Sequence, residues 1–235
     1  MALPKIASPT FMLDIPSTGE TIRYRPFTVK EEKVLLIASS GDDEKQVVEA
    51  IKQIINNCVL DKIDVDDLSI YDLEYLFLQL RSKSVNNVIE FKFVDEDDNN
   101  TYESTLDLED IKIVKDPSHE YTLNLNDEVS LIMKDPTYET VQKINKLGDN
   151  SEKAMMEIIS LCIDKVLVGD DEVLNMGDYT KKEQQDFIES FSSKNMIQIQ
   201  EFFNTVPRLK HSFTYKTEGG ETKTKEIVGL QSFFT

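Results

Sequence analysis

An α+β fold in two similar lobes is predicted, each lobe made of β-hairpins flanking a small helical bundle. Three observations lead there. Stretches of alternating apolar and polar residues come in pairs around turn residues, as antiparallel hairpins do. Between the pairs, apolar residues recur at helical spacing behind recognisable caps. The order then repeats: Phe11 and Tyr121, Asp14 and Asn124, and Pro26 and Pro136 each stand 110 residues apart. The first lobe, with an N-terminal arm, is expected over residues 1–115. The second, with an extra helix and a C-terminal hairpin, is expected over 116–235.

Residues 10–14 and 21–25 alternate around Pro16-Ser17-Thr18-Gly19, a hairpin with a loop of about four to six residues. Pro26 keeps Arg25 extended and ends the strand. Thr28 followed by Glu31 is a capping box, and Val34, Leu35, Ile37 and Ala38 continue the helix it opens. After Gly41-Asp42-Asp43 a second helix turns Val47, Val48, Ile51, Ile54, Ile55, Cys58 and Val59 to one face. Ser69 with Asp72 caps a third, which carries Ile70, Leu73, Leu76, Phe77 and Leu80. Residues 88–94 and 101–108 alternate around an acidic, Asn-rich turn, and 111–114 adds a short edge strand.

The second half follows the same plan. Residues 121–125 and 128–133 form a hairpin, Asp135-Pro136-Thr137 opens a helical stretch to Leu147, and a longer helix covers 152–166. Thr180 with Glu183 makes a further capping box ahead of Phe187, Ile188 and Phe191. Another helix spans 195–205, and a last hairpin runs over 210–230 across Glu218-Gly219-Gly220-Glu221. Ile54-Ile55-x-x-Cys58 corresponds to Ile158-Ile159-x-x-Cys162, and Asp67-Leu68-Ser69-x-x-Asp72 to Asp178-Tyr179-Thr180-x-x-Glu183.

Charge narrows the function. Asp and Glu number 44 against 26 Lys and Arg, a net −18. Such a surface opposes nucleic acid, whose phosphates need neutralising cations, and an anionic membrane for the same reason. Apolar runs such as 34–38 and 158–163 are too short to span a bilayer, and the first residues lack the pattern of a signal peptide. Two cysteines make no disulfide framework, so a cytosolic setting is expected.

Catalytic chemistry finds little to work with. His119 and His211 lie beside strands outside any motif, and Cys58 and Cys162 sit on apolar helix faces as small hydrophobes. The run Asp95-Glu96-Asp97-Asp98-Asn99-Asn100 offers oxygen ligands, but no glycine at its sixth position and no glutamate at its twelfth, as a calcium loop needs. A solvated turn is the expectation, and no zinc or nucleotide motif stands elsewhere. No metal, cofactor or small-molecule substrate is expected.

Two segments stand out as partner-binding candidates. In the first, Arg23, Arg25, Lys30 and Lys33 gather in an acidic chain with Tyr24 and Phe27 between them, the residue types that anchor protein interfaces. In the second, Phe233 and Phe234 stand beside the last residue, where they either lock the terminus or meet a partner.

The same segments carry a resemblance. Pro9-Thr10-Phe11-x-Leu13, Pro16-Ser17-Thr18-Gly19 and Tyr24-Arg25-Pro26-Phe27-x-Val29-Lys30-Glu31-Glu32-Lys33 resemble the opening of the baseplate hub assembly family of T4-like, contractile-tailed bacteriophages. Ala50-Ile51-Lys52-Gln53-Ile54-Ile55-x-Asn57-Cys58, Asp72-Leu73-Glu74-Tyr75-Leu76-Phe77-x-x-x-Arg81-x-Lys83-Ser84 and Gly229-Leu230-x-x-Phe233-Phe234 are similar to it too. The resemblance implies a non-enzymatic late protein that works as a chaperone or assembly factor for the hub, in the host cytoplasm. Its partners would be other baseplate hub and tail proteins. A resident place in the virion baseplate is the alternative. Relatives with Cys-x-x-Cys pairs in their acidic hairpins suggest small zinc ribbons. Here residues 95–100 and 217–221 hold no cysteine, so packing must hold those hairpins.

Overall fold

A computed structural model describes residues 6–41, 44–145, 151–169 and 171–229. Among them are seven α-helices and eleven strands in four small sheets, every pairing antiparallel. The mixed α+β class expected from the sequence is the class observed. The elements fall into two compact units, one running to Val114 and resuming at Arg208, the other Lys115–Pro207.

The first unit opens with β1 (Phe11–Asp14) and β2 (Thr21–Tyr24), then α1 (Val29–Ser39), α2 (Glu44–Cys58) and α3 (Ile70–Ser84). Both sides of the Thr28–Glu31 capping box form, and Ser69 accepts from the Asp72 amide at the start of α3. The hairpin β3 (Val88–Val94) and β4 (Thr101–Asp107) follows, then β5 (Lys112–Val114). Ile22, Ile54, Ile55, Cys58, Leu76, Phe77 and Leu80 form the centre of its core, all but sealed from solvent.

The second unit holds β6 (Thr122–Asn124), β7 (Val129–Met133), α4 (Tyr138–Asn145), α5 (Ser151–Cys162), β8 (Ile163–Val168), β9 (Glu172–Asn175), α6 (Lys181–Glu189) and α7 (Ser193–Thr205). Its sheet runs in the order β6-β7-β8-β9. Leu131, Met133, Ile159, Cys162, Ile188, Ile199 and Phe202 pack beneath it.

Two expectations change. The hairpin β10 (Arg208–Lys216) and β11 (Thr222–Val228), assigned to the second lobe, belongs to the first unit. Backbone pairing decides this: Arg208 pairs with Val114, Leu209 with Ile113 and Lys210 with Lys112. The helix expected over 152–166 stops at Cys162, and the chain continues as β8 along β7. Ile159, Ile163 and Val166 suit helical spacing, but the β-branched Ile163, Val166 and Val168 also suit a strand beside β7. Gly169, at φ 60°, then turns the chain toward β9.

The two units share pairing register at corresponding positions. Leu13 pairs with Ile22 and Asp14 with Thr21 in one hairpin, Leu123 with Leu131 and Asn124 with Ser130 in the other. In each, the hydroxyl of the last pair donates across the strands, Thr21 to Asp14 and Ser130 to Asn124. Beyond two helices, the Cys58 carbonyl accepts from the Arg25 amide at 3.0 Å, and the Cys162 carbonyl from the Lys134 amide at 2.8 Å. The next residue then returns to the second strand, Val59 to Tyr24 and Ile163 to Met133. After the capped helices α3 and α6 the copies part. A hairpin follows α3, whereas α7 follows α6.

Candidate functional site

The strip from Arg23 to Lys33 lies where β2 gives way to α1, and the fold sorts its residues sharply. Tyr24 and Phe27 are buried, their rings part of the first unit's core. Tyr24 lies 5.7 Å from the Phe11 ring, and the Phe27 amide donates to Ser84 Oγ at 2.9 Å. Neither ring can meet a partner while the unit stays folded.

The arginines are engaged as well. Arg23 grips Asp61 from its Nε and Nη2, the closer contact 2.6 Å, while its backbone amide donates to the other carboxylate oxygen. That hydrogen bond raises the guanidinium pKa and lowers that of Asp61. Arg25 donates to Glu31 at 3.0 Å and to the carbonyls of Pro26 and Asn57. Burial alone would push the Glu31 carboxyl up. The donors from Arg25 and Thr28 outweigh it and hold the group at about 2. Arg25 and Glu31 thus lock the strand-to-helix junction.

Lys30 and Lys33 remain on the surface, joined by residues that sequence reasoning passed over. Val29, Leu36 and Ile37 of α1 face solvent beside the two lysines. A signal was present: 34–38 is five apolar residues in succession, and a helix this short cannot bury all of its sides against one core. Phe233 and Phe234, the other candidates, lie outside the described residues.

The acidic turns of the first unit meet. Asp95, the first residue after β3, accepts from Tyr215 Oη at 2.6 Å and from Lys223 Nζ at 3.0 Å, and Lys223 also reaches Asp97 at 2.7 Å. Tyr102 donates to Asp98 and accepts from the Glu218 amide. Phe91, Phe93, Phe213 and Tyr215 pack beneath, Phe93 and Tyr215 at 4.8 Å. The Tyr215 hydroxyl, the Asp97 amide and Lys223 hold the Asp95 carboxyl at about 2. The ammonium of Lys223 is a tethered cation between two carboxylates.

Both cysteines and one of the two histidines are packed away, while His211 is half-buried on β10. Both thiols are fully buried, and burial pushes Cys58 up to about 11 and Cys162 up to about 12, far from the reactive thiolate. His119, expected at a strand edge, is instead nearly sealed in the second unit. Its Nδ1 lies 2.9 Å from Thr205 Oγ1, with its ring 4.9 Å from Phe202 and 4.7 Å from Tyr121. Burial lowers its pKa, against the pull of Asp135 and Asp116. No helix among the described residues is long and apolar enough to cross a membrane.

Comparison with known proteins gives one family. The model for the T4 bacteriophage base plate protein family matches residues 8–235. No match is found among curated proteins or among solved structures.

Proposed function

The chain belongs to the T4 bacteriophage base plate protein family, and from that membership we propose that it is a non-enzymatic assembly factor of the baseplate hub. It binds hub subunits in the host cytoplasm and keeps their exposed surfaces from premature association until they dock. The observation that supports a binding role is the outer face of α1, where apolar and basic side chains are left in water. The acidic remainder of the surface maintains solubility and speeds encounter with complementary partners.

Residence in the finished baseplate is the second reading, favoured by a family description that names the base plate itself. Mass spectrometry of purified particles separates the two. Absence from particles, with a stable complex on co-expression with hub proteins, is the expected result. Presence in stoichiometric amount would make the protein a structural part and overturn the assembly-factor reading.

A further inference from the structure

Glu31 and Ala38 turn α1 inward, and Val34 and Leu35 are half-buried beside them. Val29, Lys30, Lys33, Leu36, Ile37 and Ser40 are all exposed. Their spacing, one, four, seven, eight and eleven residues beyond Val29, places them on one face of the helix. Val29 is 66% exposed, Leu36 62% and Ile37 74%. Single exposed apolar residues are ordinary, but three on one short helix face form a patch of the kind that marks an interaction site.

The charge on this face is as distinctive as its apolarity. Lys30 and Lys33 make no ion pair among the described residues. No carboxylate of α1 shares the face: Glu31 points at Arg25 and Thr28, and Glu32 is half-buried. Within a chain of net −18, the face is apolar and cationic.

We infer that the outer face of α1 docks a partner protein through an amphipathic segment whose apolar ridge carries carboxylates along its flank. The inference rests on the reading that this chain works by binding other baseplate proteins. Lys33 decides the chemistry. It lies one helical turn from both Val29 and Leu36, within the apolar seam. A wholly apolar partner would strip water from an unpaired ammonium. A carboxylate opposite it supplies a charge-assisted hydrogen bond instead, while the methylene stem lies along the apolar ridge. Self-pairing about a two-fold axis fits poorly, because it would bring the same lysines together with no acid between them.

Binding of the full chain to each separately purified hub protein of the same phage, at low and high salt, tests this. Lys30→Glu with Lys33→Glu should slow association on the order of tenfold and remove its salt dependence. Leu36→Ser with Ile37→Ser should weaken binding roughly tenfold or more, through faster dissociation. Ile197→Ser, equally exposed on the second unit, should change neither. Circular dichroism and urea unfolding of all three should match the parent. Unchanged binding in both α1 variants would overturn the docking face and leave the functional reading standing. Failure of the parent to bind any hub protein would overturn both. Binding to phosphatidylserine vesicles that is lost with Leu36→Ser and Ile37→Ser would overturn the protein partner in favour of a lipid surface.

Discussion

Glu31→Gln removes one charge at the root of α1 while keeping the shape of the side chain. In the folded protein this carboxylate is 5% exposed, accepts from Arg25 at 3.0 Å, and takes two donors from Thr28. Those donors hold it at about 2, against an ordinary 4.5. At about 1.4 kcal/mol per pH unit, that difference corresponds to about 3 kcal/mol of stability. Because the folded value lies below the unfolded one, the contribution is complete above about pH 4.5 and drains away as pH falls toward 2. The variant should therefore be less stable than the parent by about 2–3 kcal/mol at neutral pH, with the gap closing in acid. Urea unfolding followed by circular dichroism at neutral pH, and in steps down to about pH 3, measures the gap. Hydrogen exchange by mass spectrometry assigns it: amides in the first turns of α1 should lose protection first. A gap that does not change with pH, or one below about 0.5 kcal/mol at neutral pH, would refute the argument.

Phe27→Ala should destabilise the first unit by about 3–5 kcal/mol in urea unfolding, since the ring is buried in the core. Loss of partner binding in that variant would therefore report unfolding, and unchanged stability would contradict the packing. Asp95→Asn should lower the thermal midpoint and loosen residues 93–102 and 213–225 in hydrogen exchange, because three donors lose their anion. The parent should keep this clasp down through the usual carboxylate range and lose it only as pH falls toward 2, so loosening near neutrality would argue against it. Cys58 and Cys162 should react with a thiol reagent only on unfolding, given burial and thiol values of about 11 and 12; fast reaction of the native protein would refute that.

Local rules account for most of what the sequence foretold. The capping boxes at Thr28 and Thr180, the cap at Ser69 and the hairpin around Asp95 depend on neighbours a few residues apart, and they formed as read. Non-local pairing undid the rest. Whether 163–168 continues a helix or starts a strand depends on β7, some thirty residues earlier, and nothing inside the segment declares that neighbour. The placement of β10 is likewise set by β5, nearly a hundred residues upstream. At the candidate site, charge and residue type drew attention to the α1 region but could not tell inside from outside. Tyr24 and Phe27 looked like interface anchors for the same reason that they make good core residues, namely large apolar area with little conformational freedom to lose.

The correspondence between the two units supplies a control that a single fold would not. Aligning the caps, Thr28 with Thr137, sets Glu31 against Thr140, and both are buried. Lys30 then corresponds to Glu139, and Lys33 to Gln142. The two copies share the hairpin register and the cysteine carbonyl that receives the next strand, so those features belong to the scaffold. The cationic residues on the outer face of α1 are not shared, so the scaffold does not require them. Grafting the second copy's residues onto the first, Lys30→Glu with Lys33→Gln, should therefore leave unfolding within about 0.5 kcal/mol of the parent. The same variant should lose its salt-dependent association with hub proteins. A large drop in stability would show that the lysines serve the fold of the first unit, and the case for a face reserved for a partner would end there.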